Sequence, residues 1–262
     1  MSTATREPEF VSRNPERATQ NPEPATRNPQ RGTRNPPGCY CIDLPLTDYH
    51  DAWDMQIAIV NAKKQGILAA DVILLLEHFP VFTLGRRGGL EHLTVSKSFL
   101  ETSNIDVVHV ERGGNITYHG PGQIVVYPIL DLNRRKLGIT DLVSGMEEIM
   151  IRTARDFGVQ AGCNPKNRGV WVGNQKLGSI GIAVRRGISY HGFAFNVHPS
   201  LTHFDWIHPC GLTDIGVTSL KKELGTVISI GDVRLAITHH MEKVFDLELN
   251  QITRDRLNEL IQ

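Results

Sequence analysis

From about residue 39 onward, apolar residues come in short runs whose spacing switches between the two-residue period of strands and the 3.6-residue period of helices. CYCIDL (39–44) reads as a first strand with Cys39 and Cys41 on one face. Asp48 precedes Tyr49, Trp53, Ile57 and Val60, which follow a helical period to about Lys64, and its carboxylate is placed to cap that helix. The run 71–78, with VILLL at its centre, is too short for a buried helix and predicts a core strand; Pro80 breaks it, and VFTLGRRGG leads through a turn into a loop. Residues 96–102 predict a short helix before a strand at 105–110. The clearest helix starts at Thr140 or Asp141, carries Leu142, Met146, Ile149, Thr153 and Phe157 along one face, and ends at Gly158. Three strand-like runs follow at 169–172, 176–185 and 188–197, with turn signals at Gly173-Asn174 and Arg186-Gly187. A loop rich in His, Pro and Gly covers 198–216. Helices over 217–224, capped by Thr218, and 231–245 come next, and a polar segment closes the chain. Strands joined by short turns in the middle, with helices flanking, predict an α+β fold on a mixed, mainly antiparallel sheet rather than a doubly wound one.

The stretch ERGGNITYHGPGQIVVY (111–127) interrupts this pattern. Glycine loses the most chain entropy on folding and packs nothing, so Gly113-Gly114 and Gly120-Pro121-Gly122, set between apolar strands, point to a need for backbone. That need is either close approach of a ligand to main-chain amides or two tight turns joining three strands. The glycines form neither a GxGxxG opening a helix nor a GxxxxGK[ST], so phosphate-loop nucleotide binding has no support.

Residues 1–38 differ in composition. Asn-Pro recurs at 14–15, 21–22, 28–29 and 35–36, a period of seven with no apolar side chain larger than alanine or proline in the repeat. Such a segment cannot bury enough surface to offset its ordering entropy, which predicts a disordered tail ahead of one folded domain at 39–262. Glutamates and prolines argue against an amphipathic transit helix there. The folded part is long enough for a proper core. Balanced charge, 28 basic against 28 acidic residues, argues against bulk nucleic-acid binding. No run approaches the roughly 18–20 apolar residues of a membrane span, and there is no secretory core. Four irregularly spaced cysteines are too few to staple the chain, so reduced thiols in the cytoplasm are expected.

Among candidate nucleophiles, Cys163 lies in AGCNPKNRG, a turn-like segment after a helix, and is incidental. Cys210 lies between Pro209 and Gly211 in WIHPCGLTDIG. A cysteine is commonly a small buried hydrophobe, but no apolar periodicity surrounds this one, and its neighbours fix the loop while leaving sulfur accessible. A thiol needs a cationic neighbour or a helix N-terminus to become a good nucleophile near neutral pH. Lys176, in GNQKLGSIGIAV, is either a solvated turn residue or an inward-pointing one with a pKa lowered by desolvation. In the second case it stabilises a thiolate and accepts a proton from an amine. His119 is another candidate base or a structural hydrogen-bonding group, and His191 alternates with apolar neighbours as a satisfied sheet histidine does. His198, His203 and His208 lack HxxxH or HExxH spacing on a helix, so no metal is expected; Cys39 and Cys41 have no second pair nearby and are expected to pack.

Three blocks, RGGNITYHGPGQIVVYPI (112–129), GVWVGNQKLGSIGIAVRRGISYHGFAFNV (169–197) and PCGL (209–212), together resemble the lipoyl(octanoyl) transferases, in the same order and spacing over nearly all of residues 40–250. The first block is shared loosely with lipoate and biotin ligases, so the resemblance implies a fold like their catalytic domain. The PCGL cysteine with the KLGSIG lysine points to the transferase branch. What this implies is the first step of endogenous protein lipoylation. Cys210 would attack the octanoyl thioester on the phosphopantetheine arm of acyl carrier protein. The ε-amine of a specific lysine would then take the acyl group, on a lipoyl domain of a 2-oxoacid dehydrogenase E2 subunit or on the glycine-cleavage H protein. Lys176 would lower the thiol pKa and deprotonate the amine. No ATP, metal or other cofactor is implied. The matching binding segments are Arg112, Gly113, Gly114, Asn115, Ile116, Thr117, Tyr118 and His119, then Ser179, Ile180 and Gly181, then Gly192, Phe193 and Ala194, with some backbone amides forming an oxyanion hole. Arg134-Arg135, Arg185-Arg186 and Lys221-Lys222 are candidates for meeting an acidic carrier. An ATP-dependent lipoate or biotin ligase would not need Cys210, a thioesterase would use water as acceptor, and a non-catalytic binding module would survive its loss.

Overall fold

The computed structural model describes residues 38–165, 167–207 and 216–262. The Asn-Pro tail thus lies outside the described residues but for Gly38. The first half of the chain runs β1 (Cys39–Thr47), α1 (Tyr49–Gln65), β2 (Asp71–His78), β3 (Val81–Leu84), α2 (Lys97–Thr102), β4 (Asp106–His109), β5 (Ile116–His119) and β6 (Gln123–Ile129). The second half runs α3 (Leu132–Arg135), α4 (Ile139–Asp156), β7 (Gly162–Asn164), β8 (Asn167–Val172), β9 (Gln175–Arg185), β10 (Ile188–Asn196), β11 (Gly216–Val217), α5 (Leu220–Leu224), α6 (Ile230–Phe245), β12 (Leu249–Gln251) and α7 (Arg254–Ile261).

Among the described residues, nine strands form a mixed sheet in the order β12-β1-β2-β6-β10-β9-β8-β7, with β11 added beside β9. β1 pairs in parallel with β2 and β12, and β11 with β9; the other pairs are antiparallel. A second sheet, β4-β3-β5, is small. The class is α+β. Helices cover both faces of the large sheet, which is why β2 and β6 read as unbroken apolar runs. On one face Met146, Ile149 and Met150 of α4 and Val233, Ile237 and Met241 of α6 pack on Ile124, Val126, Phe193 and Phe195. On the other, Ile59 and Val60 of α1 and Leu257 of α7 pack on Leu74, Val125, Tyr127 and Ala194. No helix among the described residues is long and apolar enough to cross a membrane.

The local signals behave as expected at several ends. Asp48 caps α1 by accepting from the His50 and Asp51 amides, and Ser96 caps α2. Elsewhere tertiary context wins. The buried stripe of α1 runs through Tyr49, Ala52, Gln56, Ile59 and Val60, while Trp53 and Ile57 are only half-buried. Polar Gln56 sits inside because its side-chain oxygen accepts from the His191 amide at 2.7 Å. VFTL, expected to lead into a loop, is β3, paired with β4 on one side and β5 on the other. Ser219, not Thr218, caps α5; the Thr218 hydroxyl is taken by Glu223. The closing polar segment forms β12 on the edge of β1 and α7, whose Leu257 is fully buried.

Asp71, fully buried at the start of β2, accepts from Lys63 Nζ and Arg134 Nη2 at 2.8 Å each, from the Asp131 amide at 2.9 Å, and from Arg135 Nε. The Arg134-Arg135 pair is therefore tied up inside the protein and is not a free patch for an acidic partner. Burial pushes the Asp71 carboxyl up, but Lys63 and Arg135 outweigh it and hold its pKa below the usual carboxylate range. Asp71→Asn is expected to destabilise the fold by about 3–5 kcal/mol at pH 7, because buried cations lose their counter-charge. A depressed folded-state pKa means this contribution is complete above the unfolded carboxylate value of about 3.9 and fades as pH falls through the folded one. Urea unfolding of both proteins should show the gap closing only in acid.

Candidate active site

The glycine-rich stretch forms a loop and the strand β5 that stand over β9 and β10, and a cleft of about 360 Å³ opens between them. Arg112 holds the loop down. Its guanidinium, 7 % exposed, donates to the Thr83 carbonyl and hydroxyl at 2.7 Å each and to the Gly113 carbonyl at 3.0 Å. The Gly113 amide donates across to Ile182 of β9 at 2.9 Å, and the Arg86 and Arg87 amides to the carbonyls of Arg112 and Gly114. The backbone approach inferred from the glycines is thus partly chain against chain. Gly122, at φ 86°, turns β5 into β6, and a Cβ there would lie 2.7 Å from the His198 backbone.

The cleft is lined by Arg112, Gly113, Gly114, Asn115, Ile116, Thr117 and His119 from the loop and β5, by Lys176, Ser179, Ile180 and Gly181 from β9, and by Gly192, Phe193 and Ala194 from β10. Tyr118 is apart from these. It alternates to the other face of β5, 1 % exposed, beside Phe82 and stacked on His203 with ring centroids 4.4 Å apart. Tyr49, Val125, Tyr127, Asn167, Arg168 and His191 also line the cleft and were not singled out as lining residues in the sequence. They arrive through strand order and through α1 crossing the sheet, which no local pattern announces.

Lys176 stands near the start of β9, opposite Trp171 of β8, with Nζ 5.0 Å from the indole centre. Its stem crosses Gly169, which has φ 116°; a Cβ there would lie 2.9 Å from Lys176 Cε and 2.4 Å from the Gly178 carbonyl oxygen. Gly169→Ala is expected to displace the lysine or the strand, cutting activity at least about tenfold with a stability loss of about 1–3 kcal/mol. Turnover assays and thermal melts of the purified variant check this. On the far side, β11 pairs with β9, Val217 lies opposite Lys176, and the Thr218 amide donates to the Lys176 carbonyl at 3.0 Å.

Cys210 and the rest of PCGL lie outside the described residues, as does His208. Ile207, directly before that segment, and Val217, two residues after it, both line the cleft that Lys176 lines. None of the three described cysteines lines this cleft. Cys39 and Cys41 are buried and burial raises their thiols, Cys41 to about 11. Cys163 is raised by partial burial and then by Glu147.

Comparison with known proteins gives the family. Residues 48–242 match the family described as the lipoyl protein ligase A/B catalytic domain. An octanoyltransferase of Desulfotalea psychrophila is 51 % identical over 197 residues, covering 74 % of this chain and 88 % of the relative. Another, from Caldicellulosiruptor bescii, is 47 % identical over 226 residues, covering 86 % of this chain and 97 % of the relative. The chain belongs to the octanoyltransferases of this family. Among solved structures, a putative lipoate protein ligase from T. acidophilum aligns with TM-score 0.66 at 17 % identity, covering 86 % of this chain and 92 % of that one, a likeness of fold.

The histidines of this octanoyltransferase sort by environment. His119 Nδ1 is 2.7 Å from Gln123 Oε1, and burial, then neighbouring His78, push its pKa down to about 3. A base that weak is a poor proton acceptor at neutral pH, so hydrogen bonding is the role its geometry suits. His203 stacks on Tyr118, away from His198, which lies against Gly122. His191 departs from the expected satisfied sheet histidine. Its backbone is at φ 54°, and neither ring nitrogen has a hydrogen-bond partner among the described residues.

Proposed function

We propose that this acyltransferase takes its octanoyl group from octanoyl-acyl carrier protein and passes it, through a thioester on Cys210, to the ε-amine of a lysine on a lipoyl domain. The acceptors on this reading are the E2 subunits of 2-oxoacid dehydrogenases and the glycine-cleavage H protein, in the cytoplasm. The observation that carries it is the shared cleft. Lys176 and both residues bracketing the Cys210 segment line one cavity, whose size suits a small acyl group. In the first half-reaction Cys210 thiolate attacks the thioester carbonyl, a new carbon–sulfur bond forms, and the phosphopantetheine thiolate leaves. In the second the acceptor amine attacks, a carbon–nitrogen bond forms, and Cys210 leaves as thiolate. Lys176 removes the proton that the amine must lose. A thioester is already activated, so neither ATP nor a metal enters the balance. Arg87, exposed beside the cleft, suits an arm that carries a phosphate, whereas Arg168 is bound to Glu147 at 3.1 Å. Of the surface pairs, Arg185 is bound to Glu111 and Lys222 to Gln175, which leaves Arg186 and Lys221 freer to meet an acidic carrier.

The test is intact mass after mixing the pure protein with octanoyl-acyl carrier protein, wild type beside Cys210→Ser, with and without ATP and then with a lipoyl domain. Loading of wild type, indifferent to ATP and discharged by the lipoyl domain, is the expected result. Modification of the lipoyl domain only in the presence of ATP would replace this reading with that of a ligase.

A further inference from the structure

The buried polar side chains of the cleft wall are Tyr49, Arg112, His119, Tyr127 and His191, each at most 7 % exposed. Four of these are engaged: the Tyr127 hydroxyl lies 2.7 Å from His78 Nε2 and bonds Tyr49, His119 bonds Gln123, and Arg112 bonds Thr83. His191 differs. It is 1 % exposed with both ring nitrogens unpartnered among the described residues, and the nearest carboxylate oxygen, Glu111 Oε2, is 3.8 Å away and itself unpartnered. Burial, then the charge of Arg112, push its pKa down to about 3, so the ring is neutral, with one bare donor and one bare acceptor. Buried polar groups are ordinarily satisfied, and one that is not requires a reason.

The conformation of His191 is built, not incidental. Positive φ is uncommon outside glycine, although histidine is among the residues enriched there, and here it is held by the 2.7 Å bond from the His191 amide to Gln56 of α1. Ile180, Ile207 and Val217 give the same cleft an apolar lining. His191 lies opposite Ile182, six residues beyond Lys176 on β9, which is roughly 20 Å along a strand. An extended octanoyl chain spans about 9 Å from carbonyl to methyl. The two residues are thus far enough apart along β9 for an octanoyl chain to lie between them.

We propose that His191, held in place by Gln56, is a polar stop that sets acyl-chain length: an eight-carbon chain ends short of the ring, and a longer one must seal its unpaired nitrogens behind methylenes. The proposal rests on the reading that the octanoyl group is loaded on Cys210. In a wholly apolar tunnel each added methylene would improve binding roughly fourfold. A polar end reverses that trend, because the ring can no longer reach any hydrogen-bonding partner.

The experiment is the initial rate of acyl loading, by intact mass, from carrier protein bearing octanoyl, decanoyl or 9-hydroxynonanoyl groups, for wild type and His191→Gly. The hydroxy chain has as many heavy atoms as decanoyl but ends in a group that can bond the imidazole. Wild type is expected to load octanoyl at least about tenfold faster than decanoyl, and 9-hydroxynonanoyl several-fold faster than decanoyl. His191→Gly, which suits the positive φ and removes the ring, should load decanoyl as fast as octanoyl. Equal rates for decanoyl and 9-hydroxynonanoyl in wild type would overturn the proposal in favour of a steric stop, and this comparison stands even if the variant does not fold. A folded variant that keeps the wild-type discrimination overturns it as well. Failure of every acyl group to load wild type would instead remove the Cys210 reading on which the proposal stands.

Discussion

Cys210→Ser is expected to emerge from octanoyl-acyl carrier protein at its own mass, while wild type gains roughly 126 Da that hydroxylamine removes. The expectation follows from how a thiol and a hydroxyl differ as nucleophiles. A thiol in an electropositive site is partly ionised near neutral pH, whereas a serine hydroxyl needs a base to take its proton during attack. The cleft offers Lys176 for that duty, but His119 and His191 in its wall are pushed down to about 3 by burial and are poor proton acceptors at neutral pH. Transfer to a lipoyl domain should fall at least about a thousandfold, as it does when other enzymes lose their nucleophile. If the serine variant modifies the lipoyl domain at the wild-type rate, no covalent intermediate on Cys210 is involved.

Lys176→Met is the second large effect. Methionine keeps most of the stem that lies over Gly169 and removes only the charge and the proton acceptor, so the variant should fold. Loss of a general base is worth about 10²–10⁴ in rate, and the fall is expected mainly in discharge of octanoyl-Cys210 to the acceptor amine. Loss of the cation should also move the pH dependence of Cys210 alkylation upward, since less thiolate is present at a given pH. Lys176→Arg separates the two roles, because a guanidinium keeps its charge but does not give up a proton. Alkylation should be restored and aminolysis should not. Wild-type discharge rates in the methionine variant would remove Lys176 from the proton transfer.

Much of this protein is legible along the chain because its signals are local. A carboxylate before a helical stripe caps α1 at Asp48, and the positive-φ pair Arg186-Gly187 closes the β9–β10 hairpin. Lys176 and the glycine-rich blocks, marked as chemistry by residue type and family resemblance, line one cleft. What escapes are features whose cause lies far away in sequence. Gln56 looks like a surface residue of α1 until the β10 backbone supplies its partner 135 residues later. Arg134 and Arg135 look like a free basic pair until Asp71, more than 60 residues earlier, claims both. Tyr118 belongs to the same motif as His119 and yet faces the other way, since neighbouring residues of a strand point to opposite sides.

Sequence alone therefore marked most of the longer strands and helices and the α+β class, because periodicity, capping and turn chemistry act within a few residues. Only the tertiary structure decided that β10 lies between β6 and β9, that β11 returns beside Lys176, and that His191 turns into the cleft a ring with no hydrogen-bond partner among the described residues. Strand neighbours are chosen by backbone hydrogen bonds common to every residue and by the burial of both sheet faces at once. Neither leaves a mark at any single position of the chain.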